Sequence, residues 1–151
     1  MAALRALGAR YGYYNPRDVM TSYYCDVMLD CWVDIHDQTN GLAMSDPFFS
    51  SEGKEDALEK IIEKVHRPAL ALLTANLEKH GGKFAAGNQL TVADCAMVAA
   101  LVNIWENPAG PWSAAFKPVL AEYPKVQQYN RNLREAFKAR INDPNRPALP
   151  M

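Results

Sequence analysis

The segment that most constrains the fold is a capping sequence followed by an unbroken apolar run. Thr91 and Asp94 have the Thr-x-x-Asp spacing of a capping box, in which each side chain accepts a hydrogen bond from the backbone N–H of the other residue. Leu90 and Cys95 stand at the two positions of a hydrophobic staple, which fixes the direction of entry into a helix. Residues 96–102 are all apolar, so the pattern predicts a helix that begins after Thr91 and is buried on every side.

Further helices are predicted where apolar residues recur at three- and four-residue steps. They comprise a short N-terminal segment, two long segments, a short segment and a C-terminal segment: residues 1–10, 16–40, 54–80, 112–120 and 124–141. No segment has the strict alternation of a half-buried strand. The sequence therefore predicts an all-α bundle packed around the helix that begins after Thr91.

Asparagine, glycine and proline positions predict where two of these helices begin, break and end. Asn15 and Pro16 stand at the N-cap and first position of the second helix, and its predicted end is Asn40-Gly41. Pro68 lies inside the third helix. Because proline removes a backbone hydrogen bond, it predicts a kink or a division at that point.

Charge and composition argue against several classes of partner. The chain has 16 basic and 17 acidic residues, and its net charge of −1 gives no bulk electrostatic basis for binding nucleic acid. No apolar run approaches the ~20 residues that cross a bilayer, so no membrane span is expected. His36, His66 and His80 are far apart and do not form a metal motif, so no metal site is expected.

The cysteines and the N-terminal segment bear on location. Cys25, Cys31 and Cys95 have neither zinc-ligand nor redox spacing, which favours free thiols in a reducing compartment such as the cytoplasm. Residues 1–12 contain two arginines and no acid, and they lack the apolar core of a signal peptide. A mitochondrial transit peptide is therefore kept as an alternative.

Several segments, in this order along the chain, resemble the cytosolic glutathione S-transferase family. Residues 3–12 are similar to the last helix of the family's N-terminal thioredoxin-like domain. Residues 26–34 are similar to the first long helix of the C-terminal domain in the sigma, mu and pi-like classes. Residues 67–73 and 81–84 fit the next helix and its exit, and residues 87–95 fit the family's capping motif. The resemblance implies a helical C-terminal domain around a buried central helix.

The resemblance also implies a division of the chain. Residues 1–14 would be the remnant last helix of the thioredoxin-like domain and the domain junction. Residues 15–141 would be the helical domain, and residues 142–151 a proline-rich tail. In this family the glutathione site and the catalytic Tyr, Ser or Cys lie in the thioredoxin-like domain. The resemblance therefore implies a truncated chain without a catalytic residue or cofactor of its own, and glutathione as the ligand of the parent family.

The resemblance assigns few site residues. Asp34 matches the family's aspartate that reaches the γ-glutamyl amine of glutathione in the partner subunit. The alternative is that Asp34 is one of several solvated acids on its helix. Met44 lies near the position where the family places a side chain over the electrophile, and Phe48 is a candidate for lining an apolar pocket. The alternative for both is packing in the core or under a loop.

Two functions follow from these predictions. In the first, the chain is the C-terminal part of a glutathione transferase that acts on apolar electrophiles as a dimer, and is itself inactive alone. In the second, it is a non-catalytic helical interaction subunit of a larger protein assembly. The expected docking patch combines the apolar face of the first helix with the tyrosines that follow it: Leu4, Leu7, Tyr11, Tyr13 and Tyr14.

Overall fold

Helices are the main regular structure of the residues that the structure describes, and the one isolated β-bridge among those residues joins Phe84 and Gly87. This structure is a computed structural model, and it describes residues 1–45, 53–108, 110 and 112–143. In chain order the helices are α1 (Ala2–Tyr11), α2 (Val19–Ala43), α3 (Glu55–Ile61), α4 (Arg67–His80), α5 (Val92–Ala100), α6 (Ser113–Ala121), α7 (Pro124–Ala136) and α8 (Lys138–Ile141). The π-helical turns Ile62–His66 and Leu101–Trp105 join α3 to α4 and extend α5. The all-α prediction is confirmed.

Helix α5 lies at the centre of the bundle, as predicted. It packs against α1, α2 and α7, and its residues Ala93, Met97 and Ala100 are buried. Cys95 and Val98 form a stripe on α5 that is only half-buried. The expectation of burial on every side is therefore wrong for this stripe, because the neighbouring helices cover only part of the α5 surface.

The start of α2 differs from the prediction. Asp18, rather than Asn15, is the N-cap, and α2 begins at Val19 rather than at Pro16. The Asp18 carboxylate accepts hydrogen bonds from the backbone N–H of Thr21 at 3.1 Å and from the Thr21 hydroxyl at 2.8 Å. Two donors within reach of one carboxylate favour this cap, so the helix starts later than the proline signal indicated.

Two other predicted boundaries also move. Helix α2 continues past Gly41 to Ala43, because a single glycine costs a helix only about 1 kcal/mol. The helix predicted over residues 124–141 is divided at Phe137, whose backbone leaves the helical region (φ −103°, ψ 14°). The Phe137 side chain packs against the core at this change of direction.

The division predicted at Pro68 is confirmed. The backbone N–H of Arg67 donates to the carbonyl of Ile62, five residues earlier, so the chain makes a π-helical turn before the proline. Helix α4 then carries Pro68 in its first turn, where the missing N–H breaks no helical hydrogen bond. The wider turn therefore accommodates the proline between α3 and α4.

Helix α1 packs on the bundle through Gly8. A Cβ added at this position would lie 2.2 Å from Val92 Cγ1 and 3.0 Å from Tyr14 Cβ. The Gly8 carbonyl accepts hydrogen bonds from the N–H groups of Tyr13 and Tyr14 at 2.8 and 3.1 Å, and the Tyr13 carbonyl accepts one from Val92 at 2.9 Å. These contacts hold α1 beside the start of α5.

The variant Gly8→Ala should destabilise the domain by about 1–3 kcal/mol, because the added methyl group must displace the buried Val92 side chain. The matched control is Gly41→Ala. Gly41 is also helical, but no atom lies within 4 Å of an added Cβ, so alanine should stabilise α2 by about 0.5–1 kcal/mol. Urea unfolding followed by circular dichroism measures both. Similar effects of the two variants would contradict the close packing at Gly8.

Candidate functional site

A fully buried carboxylate at the start of α5 accepts four hydrogen bonds. Asp94 Oδ1 accepts from the Ala85 backbone N–H and from the Tyr129 hydroxyl, both at 2.9 Å. Asp94 Oδ2 accepts from the Thr91 backbone N–H and the Thr91 hydroxyl, both at 2.8 Å. The reciprocal bonds of a capping box between Thr91 and Asp94 are both present. One side chain therefore joins α5, the loop before it and α7.

The electrostatics of this cluster suit a structural role. Burial raises the pKa of Asp94, while the hydrogen bonds from Ala85, Thr91 and Tyr129 act in the opposite direction. Burial, followed by the charge of Asp94, raises the pKa of Tyr129 well above its usual value, so its hydroxyl stays a donor. These groups are enclosed by protein and therefore cannot reach a substrate. Leu90 is half-buried against the core, and its predicted staple contact stays a prediction.

A second buried polar cluster centres on His66, for which the sequence indicated neither a metal motif nor another role. The Trp105 Nε1–H donates to His66 Nδ1 at 3.1 Å. The proton of the neutral ring is therefore on Nε2, which donates to Thr39 Oγ1 at 3.0 Å. Burial lowers the pKa of His66 to about 4. The imidazole thus acts as a neutral link between α2 and the two π-helical turns. The sequence did not indicate this link, because Thr39, His66 and Trp105 are far apart in the chain.

A third cluster joins α1 to α2. The Arg5 Nε–H donates to Asp26 Oδ1 at 2.6 Å, and the Tyr14 hydroxyl donates to Asp26 Oδ2 at 3.1 Å. The hydrogen bond to Asp26 raises the pKa of Arg5, and burial raises that of Tyr14. Asp26 is therefore a clamp at the junction of the two helices. The sequence showed only an acid in a row of acids, because its partners lie on other elements.

The two predicted ligand-site residues that the structure describes, Asp34 and Met44, do not lie together in one site. Asp34 is exposed on α2 and forms no hydrogen bond or ion pair with the part of the chain that the structure describes. Met44, the C-cap of α2, is 70% exposed and lies about 15 Å from Asp34 along the helix axis. Phe48 lies outside the described residues. Their roles in glutathione or electrophile binding stay predictions.

The three thiols are poor candidates for a catalytic nucleophile. Cys25, Cys31 and Cys95 are free, and burial raises the pKa of each thiol. A thiol with a raised pKa is mostly protonated at neutral pH and reacts slowly. Within the described ranges, no three potential ligands are grouped as a metal site, and no helix is long and apolar enough to cross a membrane.

The predicted docking patch is only partly available. Leu7 and Tyr11 are 55% and 64% exposed, and Tyr13 is also exposed. Leu4 and Tyr14 are instead half-buried against the core. Leu4 lies on the side of α1 that faces the bundle, and Tyr14, which follows α1, donates a hydrogen bond to Asp26, so the docking role of these two residues stays a prediction. The exposed part of the patch consists of Leu7, Tyr11 and Tyr13.

A comparison with protein-family models decides the family. The model of the glutathione S-transferase C-terminal domain matches residues 36–140 of this chain. The chain belongs to this family. The matched range runs from the second half of α2 into α8, so it includes both the His66 cluster and the Asp94 cluster. Both clusters are therefore parts of the glutathione S-transferase helical domain.

Individual relatives match nearly the whole chain but only part of their own length. The chain is 27% identical to glutathione S-transferase alpha-4 of Rattus norvegicus over 142 residues. This alignment covers 94% of this chain and 54% of the relative. It is 25% identical over 133 residues to glutathione S-transferase 3 of Gallus gallus, 85% of this chain and 56% of that relative. The chain thus spans about half the length of the curated relatives it matches.

A solved structure shows the same fold. The crystal structure of the glutathione S-transferase Blo t 8 superposes with a TM-score of 0.76 at 21% sequence identity. The match covers 96% of this chain and 62% of the solved chain. The helical fold of this chain is therefore a fold found in a glutathione S-transferase.

Proposed function

We propose that this chain is the helical half of a glutathione transferase and does not catalyse conjugation alone. Conjugation needs a glutathione thiolate held by a hydrogen-bond donor, because the neutral thiol is a weak nucleophile. The buried polar groups at Asp94, Tyr129 and His66 already bond to protein partners. The donor and the glutathione site would belong to a thioredoxin-like domain outside the described residues.

The proposal rests on helix α1, which is packed firmly on the bundle but exposes apolar side chains on its outer side. This helix is fixed to the bundle through Gly8 and through the Arg5–Asp26 ion pair at 2.6 Å. Its outer side nevertheless exposes Leu7 and Tyr11 to solvent. A rigidly held helix with an exposed apolar side is expected where another domain packs against it. A thioredoxin-like domain, whose last helix α1 resembles, would cover that side.

The site residues keep their proposed roles within such an assembly. Asp34 would bind the γ-glutamyl ammonium of a glutathione held by a partner subunit, since a carboxylate and an ammonium form a charge-assisted hydrogen bond. Its exposure on α2 leaves the carboxylate free for this contact. Met44, exposed at the end of α2, would contribute a flexible thioether to the electrophile pocket, together with Phe48.

A conjugation assay tests the proposal. The rate of thioether formation from glutathione and an aryl chloride is measured for the chain alone and for the chain fused to the N-terminal domain of the rat relative. The chain alone should give the uncatalysed rate and the folded fusion a faster one. In the fusion, Asp34→Asn should raise the KM for glutathione, while Asp30→Asn, another exposed acid on α2, should not. Catalysis by the chain alone would contradict the proposal.

The exposed part of the patch also favours the second candidate, an interaction subunit. The variant Leu7→Glu with Tyr11→Glu places two charges on it without entering the core. Its matched control is Leu72→Glu, at a 38% exposed position on α4. If the patch docks a protein partner, co-purification should be lost only in the α1 variant. Unchanged co-purification would exclude this surface. Free thiols favour a reducing compartment for either function.

A further inference from the structure

A surface groove of about 320 Å³ lies between α3, the π-helical turn that follows it and α6. This volume is at the lower end of the range of small-molecule pockets, about 300–1,000 Å³. The apolar lining consists of Leu58, Ile62, Ala115 and Val119. The exposed fractions of Leu58, Ile62 and Val119 are 8%, 7% and 5%, so each side chain presents only an edge to the groove. The open apolar surface therefore accommodates one small apolar group.

Carboxylates border this apolar surface. Glu55 and Glu59 both line the groove, and they lie four residues apart on α3, which is about 6 Å along the helix axis. Both side chains are exposed, and neither forms an ion pair or a hydrogen bond with the part of the chain that the structure describes. Lys60 and Lys64, which follow on the same segment, are exposed but do not line the groove. The charges of this segment are therefore segregated, with the acids toward the groove.

Arg67, the basic side chain among the lining residues, is already neutralised. Its Nε–H donates to Glu63 at 2.6 Å, and its two terminal nitrogen atoms donate to Glu122 at 2.6 and 2.9 Å. One guanidinium is thus shared by two carboxylates and leaves no positive charge for Glu55 or Glu59. Among the described residues that line it, the groove carries an excess of negative charge and favours a cation.

We propose that this groove binds small arylalkylammonium ions. The ligand ammonium lies near Glu55 and Glu59 and forms charge-assisted hydrogen bonds with their carboxylates. Its aromatic ring packs on Leu58, Ile62 and Val119, because a single ring matches the small apolar surface between the helices. This inference goes beyond the proposed transferase function, since other elements than α1 and the end of α2 form the groove.

The test titrates the full chain with 2-phenylethylamine, a cation at neutral pH, and follows the backbone amide shifts by NMR. A ligand of about nine heavy atoms should saturate with a Kd of about 1–10 mM. The amides of Leu58, Ile62 and Ala115 should shift most. The largest shifts at residues outside the groove, or no saturation up to about 50 mM, would overturn the proposal.

Three matched ligands each change one feature of the amine. In 2-phenylethanol the charge is absent, in 3-phenylpropanoate it is reversed, and in ethylamine the ring is absent. Each should bind at least about fivefold more weakly than 2-phenylethylamine. Equal affinity for any one of the three would overturn the proposal. Tighter binding of acetyl-Phe-Lys-amide would also overturn it, in favour of a segment of a protein partner.

Paired variants locate the ammonium. Glu55→Gln with Glu59→Gln should weaken binding by about fivefold, because both carboxylates face the ligand cation. The control, Asp56→Asn with Glu78→Gln, removes the same charge from exposed positions outside the groove and should leave the affinity unchanged. Asp56 lies in the first turn of α3, as Glu55 does, so the control also matches the effect on the start of the helix. Equal loss in both variants, or no loss in the first, would overturn the proposal.

Discussion

Replacing Asp94 by alanine should lower the free energy of unfolding by about 3–5 kcal/mol. The substitution leaves the Ala85 N–H, the Thr91 N–H and the Tyr129 hydroxyl without their acceptor inside the protein. Each unsatisfied buried donor costs about 1–3 kcal/mol, and relief of the buried charge offsets part of the sum. Because domains of this size are stable by only about 5–15 kcal/mol, much of the chain should unfold at mild urea concentrations.

Urea unfolding followed by tryptophan fluorescence measures this loss. Thr91→Ala removes only the capping side chain and should cost about 0.5–2 kcal/mol. Asp34→Ala is the matched control, because it removes a carboxylate that is exposed on α2, and it should change stability by no more than about 0.5 kcal/mol. A cost below about 1 kcal/mol for Asp94→Ala would contradict the role assigned to its four hydrogen bonds.

Acidification should destabilise the domain through His66 by about 3 kcal/mol between pH 7 and pH 4. Burial lowers the pKa of His66 in the folded protein from 6.5 to about 4. Between these values the unfolded chain binds a proton that the folded chain excludes. The contribution of His66 is therefore complete above about pH 6.5 and is lost as the pH falls toward 4. Protonation would also remove the acceptor for the Trp105 indole N–H.

The difference between two pH series isolates this contribution from that of the carboxylates. Free energies of unfolding are measured at several pH values for the wild type and for His66→Gln, which has no titrating ring. The variant should be less stable at pH 7 and show a flatter decline toward pH 4. His36→Gln, on the exposed surface of α2, should retain the wild-type slope. Equal slopes for the wild type and His66→Gln would show that the buried ring does not control the pH dependence.

The parts of the fold that the sequence predicted well depend on neighbouring residues. The start of α5 follows from Thr91, Asp94 and the apolar run after them, because a cap and its helix lie within one or two turns. The division before Pro68 is equally local, since proline lacks the N–H in any context. The family resemblance rested on such local segments, and the match over residues 36–140 supports it.

The clusters that the sequence missed combine residues far apart in the chain. Asp26 looked like one of several acids on α2, yet its partner Arg5 lies 21 residues away on α1. The bond between His66 and Trp105 spans 39 residues. Periodicity identifies which face of a helix is buried, but it does not indicate which polar group on another helix a buried side chain will bind.

The sequence by itself determined that this chain forms helices, that α5 is central, and that the chain resembles a glutathione S-transferase helical domain. These properties depend on caps, periodicity and helix-breaking residues, whose effects reach only a few positions. The tertiary structure alone decided that Asp94 bonds to Tyr129, and that Glu59 and Val119 border one groove. Such contacts depend on how helices pack, and packing brings together side chains whose separation in sequence carries no signal.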